Sequence, residues 1–320
     1  MHLSGYVLQR LLRGLATFWF AVTVTFFLVR LLPGDPVLAV AGPGMTEEIR
    51  LQQLQLFGLD RPLAVQYFSY LGQLVQGNLG ISFLRSQPVT QILLERLPWT
   101  LLLTGSALLL TVLFGIPLGV LAATRARGWV DQLVQVSGVI GQSLFVPSIG
   151  ILLLYTLGLI LRIFPIGGAV TSGATGIGYY LSIAHHLVLP AFTLVLAQLA
   201  SYVLTLRSTL IEALGEEYCD LARAKGTPEN KVVWKHALRN ALLPTTTLIG
   251  LQIGFLVGGA VLTETIYAYP GVGRAIFEAV GQLDFPVLQG AFVLLAATVV
   301  IANLVTDLAY GLLDPRVRAG

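Results

Sequence analysis

Few residues of this 320-residue chain are able to do chemistry, and one region gathers most of them. The single cysteine, Cys219, has no partner for an intrachain disulfide and is too solitary for a thiolate metal cluster. Set among apolar and charged neighbours, it reads as inert filler more readily than as a nucleophile. His185 and His186 are adjacent, so on a regular helix they cannot both face one ion, and no cysteine or carboxylate stands close by in sequence. Glu264 and Asp307 lie near the ends of apolar stretches. There an ionisable group is either a pathway residue or a solvated, helix-capping one. None of Lys225, Lys231 and Lys235 follows a glycine, which excludes the Gly-Lys-Ser/Thr loop that cradles nucleotide phosphates. No His/Asp/Glu or Ser/His constellation of an intramembrane enzyme falls inside the apolar stretches. The dense exception is residues 207–243, with six basic and five acidic residues.

Local signals give that segment a shape. A short helix through Glu217–Lys225 is expected to stop at Gly226, a residue that adopts the left-handed conformation of a helix end easily. Thr227 then suits an N-cap, Pro228 the first helical position and Glu229 the favoured acidic first turn. Val232, Val233, His236, Ala237 and Asn240 recur at helical spacing before Pro244. The product is a helix–turn–helix projection in which small Ala222 and Ala224 flank a charged ridge of Arg223 and Lys225. Two readings stand open: a docking surface for another protein, reached through the small residues and paired through the charges, or a solvated connecting loop.

The elements that position this segment follow from composition. Hydrophobic residues make up 55% of the chain and charged ones 11%, against about 25% charged in soluble domains. Mean hydropathy is +0.80. These values exclude an ordinary water-soluble core, and a net charge of +3 with no long basic run gives no nucleic-acid surface. The expected fold class is all-α, a polytopic transmembrane bundle of about six spans. Stretches at about 8–32, 98–123, 133–161, 187–206, 244–264 and 287–311 reach the roughly 20 apolar residues that cross a bilayer. Pro147 bends or breaks the third. Thr245, Thr246, Thr247 and Gln252 make the fifth the least apolar, and its glycines suit helix packing. The first is longer than a cleaved h-region and lacks a clear small-x-small site, so it is read as a retained span.

With the N-terminus cytoplasmic, twelve of the nineteen basic residues fall inside: Arg10, Arg13, Arg125, Arg127, Arg207, Arg223, Lys225, Lys231, Lys235, Arg239, Arg316 and Arg318. The bias places both ends in the cytoplasm of an inner-membrane protein. Residues 33–97 form an outer loop with an amphipathic helix in which Leu63, Tyr67, Tyr70, Leu71 and Leu74 recur at spacings of three and four. That helix either covers the mouth of a pathway or merely caps helix ends. The domain reading is residues 1–97 as first span and outer loop, 98–311 as core, and 312–320 as tail.

The charged segment also resembles a known family. Glu-Tyr-x-x-x-Ala-Arg-Ala-Lys-Gly at 217–226, followed by Lys-x-x-x-x-His-Ala-Leu-Arg-Asn-Ala-Leu-Leu-Pro at 231–244, is similar to the EAA loop of binding-protein-dependent ABC permeases. More narrowly it resembles the peptide and nickel branch, and within it the first permease subunit. Leu31-Leu32-Pro33-Gly34-Asp35-Pro36, Gly77-Asn78-Leu79-Gly80-Ile81-Ser82, Tyr269-Pro270-Gly271-Val272-Gly273-Arg274, Asn303-Leu304-Val305-x-Asp307 and Leu313-Asp314-Pro315-Arg316 extend the resemblance along the chain. Departures are Tyr218 and Cys219 at the first two EAA positions, and Leu283 before Asp284 where an arginine is expected, which puts a salt bridge there in doubt.

The resemblance implies a type I importer permease. Glu217, Ala222, Arg223, Ala224, Lys225 and Gly226 would form a coupling helix seated on a separate cytoplasmic ATPase, whose closure rocks the pathway between inward-open and outward-open states. Implied partners are a second homologous permease, two ATPase subunits that bind the ATP and magnesium, and an extracytoplasmic solute-binding protein touching 33–97 and 265–286. This chain would hold no cofactor or metal. Glu264 and Asp307 remain candidate pathway residues. Di- or oligopeptides are the first expected cargo, ahead of nickel chelates and glutathione-like or opine-like compounds. The alternative is an ion-coupled carrier or channel, disfavoured by span centres almost free of charge.

Overall fold

The structure is a computed structural model, and it describes residues 3–31, 47–56, 58–143, 145–255 and 260–313. Every regular element among them is helical, with one isolated β-bridge between Ile81 and Pro88. In chain order the helices are α1 (Leu3–Leu31), α2 (Glu47–Leu56), α3 (Leu63–Val75), α4 (Val89–Thr124), α5 (Trp129–Ser143), α6 (Val146–Leu153), α7 (Ile177–Leu214), α8 (Glu217–Ala224), α9 (Glu229–Lys231), α10 (Leu238–Phe255), α11 (Val261–Ile266), α12 (Val272–Gln282) and α13 (Phe285–Leu313). Helix α6 runs into a π-helical turn at Leu154–Ile160, and α9 into another at Val232–Ala237.

Four helices among the described residues are long and apolar enough to cross a membrane: Gln9–Leu31 of α1, α4, α7 and Phe285–Leu304 of α13. A fifth crossing exists if α5 and α6 with its π turn form one span bent by 98°. The bend falls just before Pro147, which sits in the first turn of α6, where its missing N–H breaks no bond. The span expected at 244–264 overlaps α10 and α11, with residues 256–259 outside the described set. The Leu-Leu-Pro-Gly-Asp-Pro motif and the Leu-Asp-Pro-Arg close also lie outside it, apart from Leu31 and Leu313.

The chain divides into two compact units. One comprises Met1–Thr100, Val257–Val261 and Pro270–Gly320. In it α1 runs antiparallel to α13: Gly14 meets Val300, while Val29 joins Leu288, Phe285 and Val287 at the opposite end. Helix α3 lies on α1 through aromatic contacts. Tyr67 Oη is 2.8 Å from Thr23 Oγ1, and the Phe26 ring is 5.4 Å from that of Tyr67 and 5.5 Å from that of Tyr70. The amphipathic reading of Tyr67, Tyr70, Leu71 and Leu74 holds, since these four are its half-buried face; Leu63 is exposed.

The other unit comprises Leu101–Leu256 and Leu262–Tyr269. Helix α7 is its axis, with α5, α6 and α10 packed along it. Close approach to α4 depends on Gly119. A methyl group there would stand 2.9 to 3.1 Å from three side-chain atoms of Leu206, so any side chain would force the helices apart. Tyr267 is 2% exposed, its hydroxyl 2.9 Å from Thr193 Oγ1 and 3.0 Å from the Gly150 carbonyl oxygen, which ties Tyr267 to α6 and α7.

Candidate functional site

Helix α7 ends at Leu214, and a two-residue turn reverses the chain into α8. The eight residues of α8 have two unlike faces because Cys219 and Ala222, three apart, share one side. Cys219 is fully buried and Ala222 is 7% exposed. They sit in a cluster with Leu206, Leu210, Val232, Val233 and Ala237, to which Val120 and Ala123 of α4 also belong, so the projection is packed onto the ends of α4 and α7. The Cys219 thiol donates to the Ala213 carbonyl at 3.2 Å, and burial pushes it above its ordinary value. It is therefore inert at neutral pH, as its isolation suggested.

The end of α8 is a Schellman motif. Gly226 N–H donates to Arg223 O at 2.9 Å, and Thr227 N–H to Ala222 O at 3.1 Å. This closure requires a left-handed residue, and Gly226 supplies it at φ +78°. The expectation for Gly226 therefore holds, whereas that for Thr227 shifts by one residue. Thr227 is engaged in finishing α8. The N-cap of α9 is Pro228, whose carbonyl accepts from Lys231 N–H at 2.8 Å and Val232 N–H at 3.2 Å.

Arg223 ties the projection together. Its Nε and Nη2 donate to the two carboxylate oxygens of Glu229 at 3.0 and 2.9 Å, and its Nη1 donates to Asp220 Oδ1 at 2.8 Å and the Leu214 carbonyl at 3.1 Å. These contacts hold the guanidinium pKa above its usual value and the Glu229 carboxyl below its own. The ridge expected from the sequence is thus redistributed. Arg223 spans the turn at the surface, partly exposed, Ala222 faces the core, and Glu217, Asp220, Leu221, Ala224, Lys225 and Gly226 are exposed. Leu221 is 56% exposed, a large apolar side chain at the tip of a charged projection.

Below the projection, Asp131 near the start of α5 is fully buried and pairs with Arg207 of α7. Arg207 Nη2 donates to Asp131 Oδ2 at 2.7 Å, a second contact joins Nε to Oδ1, and Arg127 N–H donates to Oδ2 at 2.8 Å. The sequence reading counted Arg207 for its charge and passed over Asp131. Its signal was an acidic residue at the mouth of an apolar stretch, which is tolerated only with a partner.

Glu264, expected at the interface, is 0% exposed, so the solvated reading is ruled out. It lies in the first turn of α11, and its backbone carbonyl accepts from Tyr269 N–H at 2.8 Å. Asp307 belongs to α13, and its side chain lies outside the described residues. His185 donates to the Ile163 carbonyl at 2.9 Å and His186 to the Ser182 carbonyl at 2.8 Å. Among the described residues, no group of three or more His, Cys, Asp and Glu side chains is placed to hold a metal.

In the first unit, Arg274 enters a charge network missing from the sequence reading. Glu278 accepts from Arg85 at 3.2 Å, Arg96 at 3.0 Å and Arg274 at 2.8 Å. The Arg274–Glu278 spacing of four was the legible signal. Among the described residues Asp284 pairs with no arginine, in keeping with Leu283. It is buried and accepts from the Ser82 hydroxyl at 2.5 Å and Phe83 N–H at 3.2 Å.

Long apolar helices with a charged projection packed on the ends of two of them are what a membrane component of a transport system would need. The chain belongs to the family described as binding-protein-dependent transport system inner membrane component, which matches residues 115–319, and that family's N-terminal part matches residues 3–104. It is 36% identical to the oligopeptide transport system permease protein AppB of Bacillus subtilis, over 99% of this chain and 100% of that protein. It is 40% identical to a putative peptide permease protein of Brucella suis and 36% identical to the dipeptide transport system permease protein DppB of Escherichia coli, over 98% of each chain in both cases. The chain is accordingly a multi-pass inner-membrane permease of an ABC import system that works with a binding protein and an ATPase, and it is not itself the catalytic subunit. An ion-coupled carrier or channel is a different class.

Proposed function

We propose that this chain carries di- or oligopeptides across the inner membrane, with α8 as the coupling helix that seats on a separate ATPase. The observation that carries the reading is a projection rigid enough to transmit force. Cys219 and Ala222 anchor α8 from within, the Schellman closure at Gly226 fixes its end, and Arg223 braces it against Glu229. Glu217, Ala224, Lys225 and Gly226 then present the contact surface, while Ala222 serves from its buried side and Arg223 braces it at its edge. The motor's closure reaches α7 and α10 through this rigid piece and shifts a two-state pathway.

The assembly proposed comprises this chain, a second homologous permease, two ATPase subunits holding the ATP and magnesium, and an extracytoplasmic binding protein. Both chain ends lie in the cytoplasm, on the side of residues 207–243. The names of the relatives support a peptide cargo. Glu264, which is buried, and Asp307 are the proposed pathway residues. The test of coupling is Gly226→Asp. Nothing lies within 4 Å of a β-carbon at this position, so the protein should insert normally. Left-handed strain and a new charge on the contact surface should abolish transport and the co-purification of ATPase. Recovery of ATPase in normal amount with this variant would refute the docking role.

A further inference from the structure

Helix α3 has three unlike sides. At about 100° per residue, Tyr67, Tyr70, Leu71 and Leu74 form its half-buried side, while Gln66, Ser69 and Gln73 fall together on one edge. That edge satisfies part of its own polarity: Gln66 donates to the Arg61 carbonyl at 2.7 Å and Gln73 to the Ser69 hydroxyl at 3.5 Å. The remaining side is apolar and open, with Val65, Phe68 and Val75 all exposed, Phe68 to 70%. None of the thirteen residues is charged, and Asp60 and Arg61 stop short of the helix.

The spans set its level. Tyr67 meets Thr23 and Phe26, which lie eight and five residues inside the Leu31 end of the α1 span. Leu79, just beyond α3, packs against Gly290, five residues inside the Phe285 end of the α13 span. At about 1.5 Å per residue these contacts stand about 7 to 12 Å below the span ends. Spans of 23 and 20 residues match a hydrocarbon core of about 30 Å, so this is acyl-chain depth. The open side of α3 also continues the surface of a span. The partly exposed Phe27 ring of α1 stacks on Tyr67 at 5.8 Å, and the Tyr67 ring is 5.5 Å from that of Phe68.

We infer that α3 is sunk into one leaflet of the membrane, with Val65, Phe68 and Val75 against lipid acyl chains and Gln66, Ser69 and Gln73 turned to the headgroups. Helices of this kind lie about 5–10 Å into the headgroup and acyl boundary. The unbroken run of rings from the span surface to Phe68 selects lipid over a soluble protein as the occupant of the open side. A soluble partner can then reach only the polar edge and the flanking Asp60 and Arg61. The assignment to the outer leaflet rests on the proposed orientation. The immersion does not, and its test reads neither transport nor sidedness.

The test places a diazirine-bearing phenylalanine at Phe68, or in separate preparations at Val65 or Gln73. The complete transporter is reconstituted in vesicles of phosphatidylethanolamine and phosphatidylglycerol. All three side chains are exposed, so the replacements leave the packing on α1 intact. Light expels dinitrogen and leaves a carbene that inserts into whatever touches it, and mass spectrometry of the peptide reads the product. At Phe68 and Val65 the mass should rise by that of one phospholipid, whether or not the binding protein is present. At Gln73 the main product should be the water adduct. Water adducts at both Phe68 and Val65 would overturn the immersion. A cross-link from either position to another polypeptide would overturn lipid as the occupant, and lipid adducts as frequent at Gln73 as at Phe68 would overturn the assigned rotation of the helix.

Discussion

At the scale of the residue, the chain places charge where a partner is already waiting. Arg223 illustrates this on the surface. Its three carboxylate and carbonyl partners belong to the same projection, and both it and Glu229 are in contact with water, so the brace contributes order more than stability. Because the Glu229 carboxyl is held below its usual value of 4.5, the brace is complete at neutral pH and above the ordinary glutamate range. It is lost only as pH falls through the lowered folded-state value. Hydrogen exchange over residues 217–231, corrected for its intrinsic pH dependence, should stay slow until that range, and Glu229→Gln should speed it at pH 7. Asp131 is the buried counterpart. Asp131→Asn leaves Arg207 facing a neutral group and should cost about 3 kcal/mol or more, read as a fall in the thermal midpoint in detergent. Asp131→Asn/Arg207→Gln should recover part of that loss.

At the scale of the element, packing at glycine fixes how closely helices approach. Gly119→Ala would press a methyl onto three atoms of Leu206, one of them the rigidly placed Cβ at 3.0 Å. Overpacking of this kind costs about 1–3 kcal/mol, and the variant should melt earlier while Gly105→Ala, which meets nothing within 4 Å, should not. The same scale shows what could be read from the chain. The turn at Gly226 was legible because one glycine after a charged helix has few other uses, and α3 because five residues kept its period. The inward side of α8 was not legible. Eight residues carry too little periodicity, and Cys219 and Ala222 become a core face against Val120, Leu206 and Leu210 of the long helices and Val232, Val233 and Ala237, which follow a turn whose angle the sequence does not state. Thr227 missed the N-cap because the preceding helix claimed it first. The depth of Glu264 was misjudged because its distance from a span end says nothing of what folds over it.

At the scale of the whole molecule, span parity makes a prediction independent of cargo. If α5 and α6 form one crossing and α10 with α11 another, the segment 207–243 and residues 77–97 lie in opposite compartments. A thiol at Leu221 should react with an impermeant maleimide only after the membrane is opened. A thiol at Phe277, 54% exposed in α12, should react in intact cells. Labelling of both from one side would break the six-span topology.

The burial of Cys219 decides how simply this can be done. With its one native thiol shut inside the projection and held in the protonated form, the wild-type chain is already a blank slate for site-directed labelling. Fluorophores or spin probes can be introduced one at a time, and their distances followed through the transport cycle, without first engineering the natural sequence away.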